Sequence, residues 1–364
     1  MRMDISSLLD APPYPAERYG RLADRLALLL GTTNDVLLIQ AEAVLALEAV
    51  ATSIAREGIR ALNIVTSPYG TWFGDWLTRG AADVDNVCAT PAKPITLEAV
   101  RRALDKADYD VLSIVHAESA TGILNPLPEI AALARQKGVL TIVDAVASIG
   151  GHPVDVDRLG IDIAVVGPQK ALAGPAGVSA ISVSQRAWKI LDHDRAPTNS
   201  MLSLLDQKKL WLDCGRAALP GTPAPLEFFA LEAALDRIEA EGLPAVHRRH
   251  AQATLATRAA LEALATSAWV DVPDNSVLVT TAILPDGIDR DTFLTAANST
   301  PGADITAGVG PGAERLFRLN HTGRRASEEA VRSNIAAVSA ALRQVGLPSD
   351  DEAGRLAIAS VYGA

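Results

Sequence analysis

Short apolar runs alternate with longer stretches of helical spacing over the first half of the chain. In stretches such as 44–54 and 127–137, apolar residues recur at the spacing of one helix face. An aromatic turn is predicted just before residue 75. Continuous apolar strands separated by helices are typical of a parallel sheet covered on both faces. The apolar runs predict such strands at 36–39, 62–65, 111–115, 139–143, 161–166 and 178–183.

The pattern changes at a segment rich in proline and glycine, 219–225, which predicts a hinge. Two long helices, two strands and a final amphipathic helix are predicted beyond it, at 226–241, 244–265, 277–284, 316–319 and 327–345. Helices and strands in this order indicate a smaller α+β unit rather than a continuation of the parallel sheet.

We therefore expect two domains and a tail. A chain of 364 residues is long enough for two or three domains. The large α/β domain takes residues 12–223 and the small C-terminal α+β domain takes 224–346. The remaining residues, 347–364, form a tail to which no element is assigned.

Composition narrows the class of protein. The formal net charge of −10 argues against a nucleic-acid partner, because phosphate binding requires a basic surface. No apolar run is long enough to span a membrane, and no signal segment is expected at the N-terminus. Two cysteines are too few for a disulfide framework. A reduced, cytoplasmic setting is the simplest interpretation.

A metal site and a dinucleotide site are not predicted. The run 247–250, His-Arg-Arg-His, has no further ligand at suitable spacing and is interpreted as a solvated helix face. The glycine-rich run 308–312 lacks the helix and the acidic residue of a dinucleotide-binding loop.

A carboxylate and an amine are predicted at the ends of two neighbouring strands. Asp144 ends the run 139–143, and Lys170 follows the run 161–166 after a short turn. Each has a plain interpretation, Asp144 as a turn or cap residue and Lys170 as a solvated side chain. Because open α/β sheets bind ligands at the carboxyl ends of strands, the pair together favours a ligand-binding site over these plain interpretations. A lysine that forms an imine and an aspartate that holds a pyridinium nitrogen are typical of pyridoxal sites.

Three motifs carry a resemblance to a known family. They are His-Ala-Glu-Ser-Ala-Thr-Gly at 116–122, Asp-Ala-Val-Ala-Ser at 144–148, and Gln-Lys-Ala-Leu-Ala-Gly-Pro-Ala-Gly at 169–177. With them the chain resembles the class V aminotransferases of the alanine/serine–glyoxylate group, which have fold type I of the pyridoxal phosphate enzymes. The resemblance covers residues 12–345. It implies a mostly parallel seven-stranded sheet, and a homodimer or dimer of dimers with active sites at the subunit boundary.

The resemblance also implies roles for individual residues. Lys170 would form the imine and move the proton, and Asp144 would pair with the pyridinium nitrogen. Arg318 would clamp the substrate carboxylate, the alternative being a surface ion pair. Trp72 is the alternative to Tyr69 as the aromatic that stacks on the ring. The other residues implied to bind the cofactor are Ser119 on the phenolic oxygen, Tyr69 on the ring face, and Gln169.

One stretch departs from the family. Relatives hold the cofactor phosphate in a hydroxyl-rich cup at a helix N-terminus, whereas this chain has Gln-Ala-Glu at 40–42. Two explanations remain open. Glu42 points away and the phosphate is held by backbone and by neighbouring-subunit groups such as Thr222, or Glu42 replaces the phosphate of an unphosphorylated ring. The second arrangement resembles the pyridoxamine–pyruvate branch of the family, as does the run 42–48.

The predicted function is amino transfer from a small-molecule amine to a small 2-oxo acid, pyruvate or glyoxylate. The cofactor is pyridoxal 5′-phosphate, or else unphosphorylated pyridoxamine serves as the donor itself. The alternatives are an ordinary pyridoxal phosphate-dependent alanine/serine–glyoxylate aminotransferase, a lyase or decarboxylase on the same scaffold, and a non-catalytic ligand-binding homologue.

Overall fold

Seven strands form the central sheet in the computed structural model of the chain, which describes residues 10–363. Their order in the sheet is β1-β7-β6-β5-β4-β2-β3. All neighbours from β6 to β3 pair in parallel, and β7 is antiparallel to both β1 and β6. The predicted mostly parallel sheet is confirmed. The strands are β1 (Asp35–Ile39), β2 (Arg60–Val65), β3 (Asp83–Cys88), β4 (Val111–Val115), β5 (Leu140–Asp144), β6 (Ile163–Val166) and β7 (Ser179–Val183).

Strand β3 has no counterpart among the predicted strands. It reads Asp-Val-Asp-Asn-Val-Cys and none of its residues is buried. As an edge strand it pairs on one side only, with β2. A polar sequence is common on sheet edges because it discourages pairing with other chains, and it leaves no apolar run to detect.

Helices cover the sheet and form most of the C-terminal half. The first seven are α1 (Ala16–Leu30), α2 (Ala43–Ile54), α3 (Pro68–Arg79), α4 (Leu97–Lys106), α5 (Leu127–Gln136), α6 (Val156–Leu159) and α7 (Gln185–Leu191). The remaining six are α8 (Leu204–Gln207), α9 (Pro225–Glu241), α10 (Leu243–Ala263), α11 (Arg290–Ala297), α12 (Glu328–Gln344) and α13 (Asp351–Tyr362). Within residues 10–363, none of them combines the length and apolar character that crossing a membrane requires.

The aromatic segment after β2 is a helix, so the predicted turn was wrong. Ser67 caps α3 by accepting a hydrogen bond from the Tyr69 N–H at 3.2 Å, and Pro68 occupies the first helical position. Both are strong helix-start signals. Tyr69 is therefore held on the first turn of a helix that begins directly above the end of β2.

A second sheet organises the C-terminal part of the chain. Its strands are β8 (Val279–Ile283), β9 (Ile305–Ala307) and β10 (Leu316–Asn320), antiparallel in the order β8-β10-β9. A separate hydrophobic cluster lies against this sheet. The buried side chains of α9 belong instead to the large cluster around the seven-stranded sheet. The division of the chain at 223/224 stays a prediction.

One expectation for the C-terminal half fails, and one helix there was not predicted. The tail contains helix α13, whose Ile358 is buried in the C-terminal cluster. The tail's last residue, Ala364, lies outside the described residues. His250 is not on a solvated face: it is fully buried, and its Nε2 accepts a hydrogen bond from the Gly323 N–H at 3.0 Å.

Candidate active site

A pocket opens at the carboxyl ends of β4 and β5, beside the N-termini of α2 and α3. Five of the predicted site residues line it together: Glu42, Tyr69, Ser119, Asp144 and Lys170. The remaining lining is apolar, from Val44, Leu47, Val115, Ala117, Val146 and Ala147. Polar groups that converge in a largely apolar pocket at this edge of a sheet are typical of a ligand site.

Asp144 is the last residue of β5. Its Oδ1 accepts a hydrogen bond from the Val146 N–H at 2.9 Å, which fixes the carboxylate at the start of the following turn. Burial raises the pKa of Asp144 to about 6, with the charge of Glu42 adding to the rise and the hydrogen bond and Lys170 opposing it. A partly desolvated carboxylate of this kind attracts a cationic group.

Lys170 lies in the turn that follows β6. The turn is closed by the Ala173 N–H, which donates to the Lys170 carbonyl at 2.9 Å. Arg237 of α9 holds the same turn, because its Nη2 donates to the carbonyls of Leu172 at 2.6 Å and Ala173 at 3.1 Å. The lysine backbone is therefore anchored from two sides while its side chain reaches the pocket.

Tyr69 and Ser119 stand on opposite elements of the pocket. Burial raises the pKa of Tyr69, an effect that a hydrogen bond with the Ser119 side chain partly reverses. Trp72 touches the Tyr69 ring edge-on, with the ring centroids 5.5 Å apart, but it is 45% exposed and lines a neighbouring cavity. Of the two aromatics weighed for the ring face, Tyr69 is the one in the pocket.

Arg318 approaches the pocket from β10. Its Nη1 donates to the Ser119 carbonyl at 2.9 Å, and its Nε donates to the Ala307 carbonyl at 3.1 Å. Burial lowers the pKa of this guanidinium, and Tyr69 and Asp304 oppose the effect. Within residues 10–363 it forms no salt bridge, unlike the surface ion pair considered as its alternative. A half-buried guanidinium held only by carbonyls keeps its charge available for an anion.

Glu42 occupies the N-terminus of α2. Its Oε2 accepts a hydrogen bond from the Val44 N–H at 2.8 Å, and its Oε1 accepts one from Gln169 Nε2 at 2.6 Å. Gln169 directly precedes Lys170, so this pair joins the start of α2 to the lysine turn. The N-terminus of α2 is thus already capped by a carboxylate.

Gln169 and Arg318 do not line this pocket but bond to residues that do, whereas Thr222 lies outside it. Thr222 is exposed in the segment that leads to α9. The base of that segment is tied to the end of β1, since Gln40 Nε2 donates to the Pro220 carbonyl at 2.8 Å. Thr222 contributes nothing to the pocket of its own chain.

Two buried polar residues beside the pocket were not predicted. Glu118 is fully buried, and burial raises its pKa to about 7; Thr66 donates a hydrogen bond to its Oε1, while Oε2 has no partner within the described residues. Asn63 is buried within β2. A signal existed for both, because Glu118 falls inside the first motif and Asn63 is the lone polar residue of an apolar run.

Comparisons with known proteins agree with this geometry. A family model described as aminotransferase class V matches residues 22–327. The chain is 34% identical over 327 residues to an uncharacterised aminotransferase of Methanocaldococcus jannaschii, covering 89% of this chain and 83% of the relative. It is 32% identical over 342 residues to the pyridoxamine–pyruvate transaminase of Mesorhizobium japonicum, covering 93% and 86%.

The fold gives the same result. The crystal structure of pyridoxamine–pyruvate aminotransferase from Mesorhizobium loti matches with a TM-score of 0.91 at 30% identity, covering 96% of this chain and 89% of that chain. The expected family and fold type are confirmed. This chain belongs to the class V aminotransferases.

Proposed function

We propose that this aminotransferase uses unphosphorylated pyridoxamine as its amino donor and a small 2-oxo acid, pyruvate above all, as its acceptor. Pyridoxamine and pyruvate would give pyridoxal and alanine, so the vitamin is a substrate that leaves after each turnover. The observation that carries the proposal is the engaged carboxylate of Glu42 at the start of α2. The similarity to a pyridoxamine–pyruvate transaminase supports it.

The pocket suits the ring of pyridoxal or pyridoxamine. Asp144 would hold the pyridinium nitrogen, Ser119 the phenolic oxygen and Tyr69 one ring face. When bound, the ring supplies an electron sink for proton transfer at the carbon that bears the amine. Lys170, anchored beside it, would bond to the aldehyde form and carry the proton between the two carbon atoms concerned.

The pocket does not suit a phosphate. Class V aminotransferases use pyridoxal 5′-phosphate, and a phosphate group binds favourably to free N–H groups at a helix N-terminus. Here the Val44 N–H and the amide of Gln169 are both satisfied by Glu42. Two like charges about 4 Å apart repel by about 1 kcal/mol in water and about 4 kcal/mol at the effective dielectric of a protein surface. A helix dipole offsets one such anion, not two.

We expect Glu42→Thr to shift preference toward the phosphorylated ring by at least about tenfold, because it removes the repulsion and restores a hydroxyl. The measurement is absorbance titration of the variant and the wild type with pyridoxal and with pyridoxal phosphate. Glu42→Gln is the matched control: it removes the charge, keeps the cap, and should give a smaller shift. Tighter binding of pyridoxal phosphate than of pyridoxal by the wild type would contradict the proposal.

The 2-oxo acid would be recognised by Arg318. A bidentate, charge-assisted contact with the carboxylate is strong in a half-buried site. We expect Arg318→Met to raise the KM for pyruvate by about a hundredfold while the Kd for pyridoxal stays the same. Arg315→Met, on the same segment but paired with Asp286 at the surface, is the control and should leave both constants unchanged. An unaltered KM in Arg318→Met would remove this residue from the site.

Product analysis separates the remaining alternatives. A lyase or decarboxylase would form no alanine from pyruvate with any amine donor. An ordinary alanine– or serine–glyoxylate aminotransferase would require pyridoxal phosphate and show no turnover of free pyridoxamine. Absence of any adduct with either aldehyde would favour a non-catalytic homologue.

We also infer a cytoplasmic homodimer or dimer of dimers. The oligomeric part of the inference is supported by the position of Thr222, which is exposed and does not line the pocket of its own chain. Sedimentation at micromolar concentration would give the mass of a dimer or tetramer, and a monomer would contradict the inference.

A further inference from the structure

A row of three polar side chains crosses the sheet beneath the pocket. Asn63 of β2 lies opposite Asn86 of β3 and Ser113 of β4 in the strand register. The Ser113 hydroxyl donates to Asn63 Oδ1 at 2.6 Å, and Asn63 Nδ2 donates to Asn86 Oδ1 at 2.7 Å. Asn63 is only 1% exposed, and its bond to Ser113 is buried, whereas Asn86 lies on the exposed edge strand.

The second donor of Asn63 leaves the sheet for helix α3. Nδ2 also donates to the Gly70 carbonyl at 2.9 Å, so both donors of the amide are used. Gly70 directly follows Tyr69 on the first turn of α3. The amide of Asn63 therefore links the strand that carries it to the backbone next to the aromatic ring of the pocket.

Two glycines allow α3 to lie this close to the strands. A Cβ at Gly70 would lie 2.8 Å from the Ile64 carbonyl oxygen, and a Cβ at Gly74, one turn later, would lie 2.6 Å from Asn63 Nδ2. No side chain fits at either position. The helix thus lies directly on β2, and the Asn63 amide would lose a buried hydrogen bond if α3 moved away.

The same residues border the site. Asn63, Gly70 and Ser113 line a small internal space whose wall also includes Tyr69 and Asp144. A shift of the first turn of α3 would therefore change the distance between the Tyr69 ring and the Asp144 carboxylate. Other elements of the pocket, including the lysine turn, make no hydrogen bond to this row within residues 10–363.

We propose that Asn63 is a positioning residue that fixes Tyr69 over the ring site by holding the Gly70 carbonyl. The inference rests on the proposed ring site. Asn63 itself would touch no substrate. Its amide sets the position of the first turn of α3 relative to the ends of β4 and β5. It thereby sets how closely Tyr69 can pack on a ligand ring whose nitrogen meets Asp144.

Asn63→Leu tests the proposal, because leucine has a similar shape and no donor. We expect the Kd for pyridoxal, measured by absorbance titration, to rise about tenfold, and the KM for pyruvate to stay within about twofold. Ser113→Ala and Asn86→Ala are the controls: each removes one bond of the row, leaves the Gly70 bond intact, and should keep the Kd within about twofold. A purely structural role would lower the Tm and the fraction of binding-competent protein at an unchanged Kd, which would overturn the proposal.

A second variant and a second readout cover the remaining outcomes. Gly70→Ala keeps Asn63 but forces α3 away from β2, and should raise the Kd in the same way even where Asn63→Leu fails to fold. A crystal structure of either variant without ligand should show Tyr69 displaced from Asp144. If Tyr69 is not displaced in that structure, the proposal is overturned, even for a protein that binds neither pyridoxal nor its phosphate. If the wild type binds neither aldehyde, only the proposed function is refuted.

Discussion

Lys170→Ala should abolish amino transfer, with a loss of at least about a thousandfold in kcat. A positioned proton carrier alone contributes about 10²- to 10⁴-fold, and this lysine is also the group that would bond to the aldehyde. The variant should show no covalent adduct with pyridoxal in the absorbance spectrum. Steady-state formation of alanine from pyruvate gives the rate.

A surface lysine provides the matched control for this loss. Lys189 is exposed on α7, away from the pocket, and Lys189→Ala should keep full activity and the adduct band. Added small amines should restore part of the activity of Lys170→Ala, because they can carry the proton without the covalent bond. Retention of the adduct band in Lys170→Ala would assign the covalent chemistry to a different residue.

Asp144→Asn should lower kcat/KM for pyridoxamine by about a hundred- to a thousandfold. The substitution keeps the shape of the side chain but leaves the pyridinium in a buried site without its counter-charge, a change of about 3–4 kcal/mol. The variant should still fold. The free-energy change of unfolding and the kinetic constants are measured on the same preparation.

The pH dependence of this variant identifies the carboxylate. In the wild type the pKa of Asp144 is about 6, so affinity for the cationic ring should weaken as pH falls through 6. A buried acid whose pKa is raised also destabilises the free protein above that pH. Asp144→Asn should therefore gain stability relative to the wild type at pH 8 and not at pH 4, and lose the change of affinity near pH 6. An unchanged affinity profile would contradict the role.

The parallel core and the positions of its strand ends were predictable because both depend on local apolar runs. Asp144 and Lys170 were found in this way, since Asp144 ends one buried strand and Lys170 lies in the turn after the next. Strand β3 and helix α13 were not. The first is polar along its length, and the second has a buried face that is recognisable only against the cluster it covers.

The contacts of the site depend on long-range packing that no local pattern encodes. The sequence marks Glu42 as unusual at the start of α2, but it does not decide whether the side chain points away from the site or into it. Its bond to Gln169 joins residues far apart in the chain and selects the orientation toward the lysine turn. The contact that positions Tyr69 was not predicted either. Asn63 and Gly70 form their hydrogen bond only when α3 lies on the sheet, and no local pattern encodes that packing.

The order of strands in the sheet has a consequence for how the chain folds during synthesis. Strand β1 is made early, yet within residues 10–363 its only partner strand is β7, with Val36 opposite Ser182. A nascent chain therefore cannot pair β1 in the sheet until β7 has left the ribosome. The hydrogen bond of Gln169 to Glu42 likewise joins residues that are synthesised 127 positions apart. The wall of the pocket at the start of α2 thus gains its place beside the sheet only after Lys170 has been synthesised.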